Sequence, residues 1–390
     1  MPFTKLQHHL QKGTNDMNRL NTTFALLKPI GKLVASFKFK YNYKVNDPLD
    51  EPYIVLSNHV TDFDPIFVGL AFKKPMRFVA SEHVARWGFL YKLINFCFDP
   101  ILRYKGALAT NTIREMFQTI KNGQNVCIFA EGIRSWDGLT CPILPSTGKM
   151  VKSARCGMIT HRLTGGYFAS PGWSESTRYG EVNSTIVSVY TKEEIAKMTA
   201  DEINEIIVRD LFEDAYERQL AKPKKYKTKN GAKGLENLLF ICPKCGAIDS
   251  IHTHANTVEC SACGHSFTYN EYGMLENTTH TTVRELAAWQ RKELEKLAGQ
   301  NLSLSCSEAV LQTVANHIET IVANGTVTLS RSGLSCGDVT IPLDDIVDMA
   351  LHGRRNLVFT TADSYYELRP AKGQNGLKLL WLYQCYKEQK

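Results

Sequence analysis

Two short runs, Cys242-Pro-Lys-Cys245-Gly and Cys260-Ser-Ala-Cys263-Gly, constrain this chain more than any other feature. Each Cys-x2-Cys-Gly run makes a tight turn that presents two sulfurs on one side. The fourteen residues between the pairs let the two turns face each other. Four thiolates gathered in this way suit a tetrahedral Zn²⁺ at ~2.3 Å, and the spacing lies close to that of zinc ribbons. Because four sulfurs complete the shell, the expectation is a closed structural Zn²⁺ site, with His252, His254 and His265 as bystanders. The other cysteines (Cys97, Cys127, Cys141, Cys156, Cys306, Cys336 and Cys385) have no paired spacing and read as core or surface thiols.

With 390 residues the chain is too long for one ordinary domain. Tyr53–Leu56, Arg77–Ala80 and Asn125–Phe129 are short apolar runs that read as buried strands, separated by helical stretches at 65–72, 82–97 and 110–122. Such alternation implies an α/β layered domain over 49–220, with active residues at strand ends. Glu181–Tyr190 reads as another strand, and Thr199 with Glu202 as a capping box opening a helix. A basic linker (221–240) leads to the ribbon (241–270) and a charged connecting helix (271–300). Residues 301–390 change character. Runs such as Thr326–Leu329, Asp338–Ile341, Asn356–Phe359 and Tyr365–Leu368, followed by a helix over 377–387, predict a small β-rich domain capped by a helix. Its strand rhythm resembles PH-like modules.

The formal net charge of +7 is unevenly spread: residues 1–50 hold eight Lys/Arg against three Asp, and Lys222–Lys229 contains no acid. This asymmetry points to an anionic partner, a membrane surface or a nucleic acid. Residues 1–20 read as a polar, mobile start. Asn21–Lys44 reads as a basic amphipathic segment kinked at Pro29 and Gly31, which packs as core or lies in the headgroup region of a lipid surface. No apolar stretch reaches the ~18–20 residues of a transmembrane helix, and no signal peptide is recognisable. The expected location is therefore cytoplasmic, peripheral on the inner face of a membrane.

Asn58-His59-Val-Thr-Asp-Phe-Asp64 can supply a general base, since histidine exchanges protons near neutrality. A carboxylate on its other ring nitrogen fixes the tautomer. Residues five apart point to different faces of a helix, so His59 and Asp64 meet only across a non-helical turn, which the strand–turn–Pro65 context provides. Phe129-Ala-Glu-Gly-Ile-Arg-Ser135 follows directly on a buried strand. Gly132 allows a turn that presents Glu131 and Arg134 at the strand end. Arg134 suits a phosphate, whereas Glu131 can orient an acceptor hydroxyl or hold Arg134.

The order Asn-His-x4-Asp, then Arg103 in Asp-Pro-Ile-Leu-Arg103, then Phe-x-Glu-Gly-x-Arg-Ser resembles the glycerophospholipid acyltransferase family of the PlsC type over about residues 50–190. Ala130 stands where the family often has proline, and Met158-Ile-Thr160 departs from the family's fourth motif. The resemblance implies His59 as general base, Asp64 as its orienting partner, and Arg103, Glu131, Gly132 and Arg134 as acceptor-binding residues. It also implies direct transfer of a fatty acyl group from acyl-CoA or acyl-carrier protein to a lysophospholipid acceptor such as lysophosphatidate.

Two other readings stay open. One is a family member with a non-glycerolipid acceptor. The other is a zinc-ribbon module for nucleic acid or protein, in which the His59 and Glu131 motifs have no purpose; nucleic acid is accordingly not the expected partner.

Overall fold

Tyr53-Ile-Val-Leu56 offers water no polar face, and in the computed structural model it becomes the central strand of a sheet covered on both sides. The structure describes residues 3–103, 109–315 and 317–389. They divide into two compact units. The first gathers the residues up to Arg103 with Ala109–Pro171 and Arg178–Lys224, and the second gathers Gly172–Thr177 and the chain from Lys225 on.

In chain order the first unit begins with α1 (Phe3–Lys38), β1 (Lys40–Asn42), β2 (Tyr53–Ser57), α2 (Asp64–Ala71), β3 (Met76–Ser81), α3 (Phe89–Phe98) and β4 (Ile101–Arg103). It continues with α4 (Thr110–Lys121), β5 (Asn125–Phe129), α5 (Ser146–Ala154), β6 (Gly157–Thr164), α6 (Gly166–Ala169) and β7 (Glu181–Tyr190). Helices α7 (Lys192–Lys197), α8 (Ala200–Leu211) and α9 (Ala215–Ala221) close it. The sheet order is β1-β7-β6-β2-β5-β3-β4. Strands β6, β2, β5, β3 and β4 run parallel, and β7 is antiparallel to β6.

Successive residues of a strand face opposite sides, so β2 feeds two cores. Ile54 and Leu56 join Met116, Ile120, Val151, Ile203, Ile207 and Leu211 on one side. Tyr53 meets Phe72 on the other. Ser57 is in register with Phe129, and Ser81 with Arg103. The C-terminal ends of β2, β4 and β5 therefore open on one edge of the sheet, the side where ligands of parallel sheets bind.

Two local expectations are corrected. Residues 82–97 are not one helix: a 3-10 turn (Glu82–Arg86) is separated from α3 by Gly88 at φ +58°, a left-handed conformation that interrupts helix propagation. Likewise the polar start of the chain is helical from Phe3, and Pro29 lies inside a continuous α1. The Thr199/Glu202 capping box is present as read.

The second unit carries β8 (Ile251–His254), β9 (Thr257–Cys260), β10 (Ser266–Tyr269) and β11 (Leu275–Glu276), an antiparallel sheet of order β11-β10-β9-β8. Helix α10 (Val283–Gly299), opened by a Thr282/Glu285 capping box, leads to β12 (Leu304–Ala315) and β13 (Ile318–Ser330). Then follow β14 (Gly333–Cys336), β15 (Val339–Pro342), β16 (Asp348–His352), β17 (Asn356–Thr360), β18 (Tyr365–Arg369) and α11 (Leu377–Glu388). These seven strands form one antiparallel sheet of order β15-β14-β13-β12-β18-β17-β16. Gln290 of α10, fully buried, accepts from the N–H of Phe240 (2.6 Å) and Ile241 (2.8 Å) and donates to the Leu238 carbonyl (2.9 Å). It thereby fixes the strand-like entry to the first cysteine pair.

Candidate active site and metal centre

Where β2 ends, the chain has to turn, and Asn58 fixes how. Its amide donates to the Leu163 carbonyl (2.8 Å) and accepts from the Leu163 N–H (2.7 Å), pinning the turn to β6. Asp64 opens α2 and is fully buried. Its Oδ2 accepts from the N–H groups of Val60 (2.6 Å) and Thr61 (2.9 Å), and its Oδ1 from the Thr61 hydroxyl (2.7 Å). The same Oδ2 lies 2.8 Å from His59 Nδ1. The non-helical turn required by the five-residue spacing is thus built around this carboxylate. The His59 ring stacks on Phe129 (centroids 4.4 Å apart, 19° between planes) and its side chain is 23% exposed. A neutral His59 donating from Nδ1 leaves Nε2 as the proton acceptor, and no described residue hydrogen-bonds it.

The sequence left Glu131 two roles, orienting an acceptor hydroxyl or holding Arg134. Glu131 does not hold Arg134. Its Oε1 accepts from the His59 N–H (2.6 Å) and its Oε2 from the Cys141 N–H. Burial pushes its carboxyl up to about 7, against the downward pull of these two backbone donors. Arg134 pairs instead with Asp62 (2.8 Å), whose side chain is 62% exposed. Asp62 sits inside the first motif, yet its spacing from Arg134 in sequence gives no sign of the pair. Gly132 adopts φ +70°, and a Cβ there would lie 3.4 Å from Arg103 Nη1. The structure therefore brings Arg103, at the end of β4, to the turn after β5 that carries Arg134. Ser135 N–H donates to the His59 carbonyl (3.1 Å), tying the third motif to the first. Met158, Ile159 and Thr160 are buried within β6. The contribution of Leu163 comes from its peptide groups, so its side-chain identity carried no signal, whereas Cys141 adds a thiol hydrogen bond to Glu131 beside that of its N–H.

Residues 38–164 match the family model described as Acyltransferase. This segment is similar to that family. Among solved structures, one that resembles the chain is the crystal structure of the 1-acyl-sn-glycerophosphate (LPA) acyltransferase, PlsC, from Thermotoga maritima. It is 18% identical, has a TM-score of 0.42, and the match covers 51% of this chain and 80% of that one. No curated protein matches the sequence. Among the described residues, the matched segment lies within the first unit.

In the second unit, the Sγ atoms of Cys242, Cys245, Cys260 and Cys263 all lie within 4.8 Å of one another. Cys242–Cys263 and Cys245–Cys260 are each 3.8 Å apart. Thiolates ~2.3 Å from a tetrahedral zinc would be separated by ~3.8 Å, so the arrangement fits the ion. The two turns are equivalent: Gly246 N–H bonds the Cys242 carbonyl and Gly264 N–H the Cys260 carbonyl, each at 2.9 Å. Both glycines have positive φ (+72° and +68°), which explains their place after each pair.

Proposed function

We propose that the first unit transfers a fatty acyl group from a thioester donor, acyl-CoA or acyl-carrier protein, to a hydroxyl of lysophosphatidate or a related glycerophospholipid precursor. The observation that carries this reading is the buried Asp64 aligned on His59, on the same strand-end edge as Arg103 and Arg134. His59 Nε2 takes the hydroxyl proton as the oxygen attacks the thioester carbonyl. The C–S bond then breaks, and the imidazolium returns the proton to the leaving thiolate. Asp64 holds Nδ1 and stabilises the transient positive charge. Arg103 and Arg134 are suited to the acceptor phosphate, since guanidinium binds it in a fixed fork geometry.

The decisive assay is release of free thiol from acyl-CoA with lysophosphatidate, glycerol 3-phosphate, an uncharged monoacylglycerol, or no acceptor. Release that requires a phosphorylated acceptor supports the reading. Equal release with the uncharged acceptor assigns a non-glycerophospholipid acceptor, and no release with either CoA or carrier-protein donors overturns the proposal.

The surface of the first unit suits a membrane-borne acceptor. Leu26, Ile30, Leu33 and Phe37 lie at helical spacing on α1 and are 57–83% exposed. Helix α3 has no buried residue although it reads Phe-Leu-Tyr-Lys-Leu-Ile-Asn-Phe-Cys-Phe. The two helices pack together: Thr23 donates to the Cys97 carbonyl (2.9 Å), and Arg19 lies 5.5 Å from the Phe96 ring centroid. Exposed Lys32, Lys38 and Lys92 flank the apolar residues, the composition of a helix pair lying in anionic headgroups. No helix among the described residues is long and apolar enough to cross a membrane. The double variant L33E/F37E is expected to reduce sedimentation with anionic vesicles at least tenfold while leaving transfer to a detergent-dispersed acceptor intact. Unchanged sedimentation would remove α1 from the docking surface.

Within the basic linker, Lys224 pairs with Glu181 and Lys225 with Glu271. These pairs leave less free positive charge for a nucleic acid than the sequence alone suggests. For the cysteine cluster we propose a structural Zn²⁺ held by Cys242, Cys245, Cys260 and Cys263, which would supply a cross-link between the two turns.

A further inference from the structure

We infer that Glu131 positions His59 and does not bind the acceptor: its carboxylate clamps the peptide N–H of His59 to that of Cys141. The inference rests on the acyltransferase reading for its consequence, but the clamp itself is a feature of the fold.

Both oxygens of Glu131 are already occupied by backbone donors, one on each side. The residue is 9% exposed, and its carboxylate is more withdrawn from solvent than the side chains of His59 and Arg134. The donors belong to segments far apart in sequence, the turn after β2 and the loop leading to α5. Between them, Ser135 N–H also reaches the His59 carbonyl. Both polar groups of the peptide units at His59 are thereby held by the third motif, its N–H by Glu131 and its C=O by Ser135. With Asp64 on Nδ1 and Phe129 under the ring, the base is fixed at backbone and side chain together. A displacement of ~1 Å in such a group can cost ~100-fold in rate.

The charged and titratable groups around Glu131 are few. His59 and Asp64 approach from the first motif, Cys141 from the loop, and Tyr167 and Glu213 line the same small cavity. Glu213 is itself held by Arg218 through two hydrogen bonds (2.9 and 2.6 Å). No cation neutralises Glu131 directly in this set, in keeping with a carboxyl pushed upward by burial to about 7.

Glu131→Gln tests the inference because it keeps the shape but can accept only one of the two N–H groups, its amide facing the other. Acyl transfer should lose about 10- to 100-fold in kcat with the acceptor KM within about twofold. In a sample with ¹⁵N-labelled His and Cys, the His59 or Cys141 backbone amide should shift upfield in the variant. In the wild type, the two amides should titrate together with a midpoint near 7. Stability offers a further readout. The folded carboxyl holds its proton up to about 7, against an ordinary value of 4.5. The folded state therefore binds more protons in that window, and the Glu131 contribution to stability declines as pH rises through it. Subtracting Glu131→Gln melts from wild-type melts should isolate this decline.

An acceptor KM raised tenfold with kcat unchanged would make Glu131 a substrate ligand and overturn the inference. Wild-type amides of His59 and Cys141 that fail to titrate together would do the same, even if the variant did not fold. If the wild type transfers no acyl group, the amide measurements still decide the clamp, so the two proposals fail separately.

Discussion

His59→Ala is expected to lower acyl transfer about 10³-fold or more while the first unit melts at nearly the wild-type temperature. General-base catalysis contributes ~10²–10⁴-fold, and in this site no neighbouring side chain is placed to substitute. The fold should survive because the His59 side chain is 23% exposed and makes one hydrogen bond, to Asp64. Asp64 still keeps three other donors, from Val60, Thr61 and the Thr61 hydroxyl. Asp64→Asn should behave otherwise. The asparagine amide would present its own N–H to the peptide donors of the turn, or to Thr61, and leaving buried donors unpaired costs ~1–3 kcal/mol each. That variant should therefore lose activity and stability together. The contrast is informative: equal destabilisation by both substitutions would make the pair structural, whereas retained turnover in His59→Ala would require another base.

The sequence carried the His59–Asp64 pair because its geometry is local. Five residues, a strand before and Pro65 after leave one way for the two side chains to meet. Arg103 was harder. Its neighbourhood to Gly132 depends on β4 lying beside β3 and β3 beside β5, a topology that no single stretch of residues encodes. The expectation that Glu131 holds Arg134 failed for a different reason. A carboxylate after a strand suggests a partner with a positive charge, but its actual partners are peptide N–H groups, which every residue except proline possesses. Arg134 then takes Asp62, a residue inside the first motif that had no role on spacing alone. In the C-terminal region, Thr326–Leu329 was legible as strand because it alternates, whereas Ile318–Val322 just before it is exposed on both faces. With no buried side to impose a period of two, that half of β13 left no pattern to read.

Removal of zinc, by a chelator or by Cys260→Ser, is expected to unfold the segment 240–270 and to loosen α11. The cysteine sheet has a small core of its own, with Ile251, Val258, Phe267 and Tyr269 as its main buried side chains. Four short strands with so little apolar burial depend on a cross-link, and in isolated zinc-finger peptides the metal contributes ~10–16 kcal/mol of apparent folding free energy at neutral pH. The effect should spread within the second unit through named contacts. Lys378 of α11, almost fully buried, pairs with Asp249, and Asn375 donates to the Glu236 carbonyl (2.8 Å). Phe240 meets Trp381 edge-on at 5.9 Å. Losing the metal would let Asp249 and Phe240 move, leaving the Lys378 ammonium without its carboxylate. Hydrogen exchange should then rise first at the Cys242, Gly246, Cys260 and Gly264 amides, which are bonded within the two turns, and next along α11. Elemental analysis should find one zinc per chain before chelation. Unchanged exchange at those four amides after complete metal removal, or in Cys260→Ser, would mean that the backbone turns hold without the ion and that the four sulfurs are close for another reason.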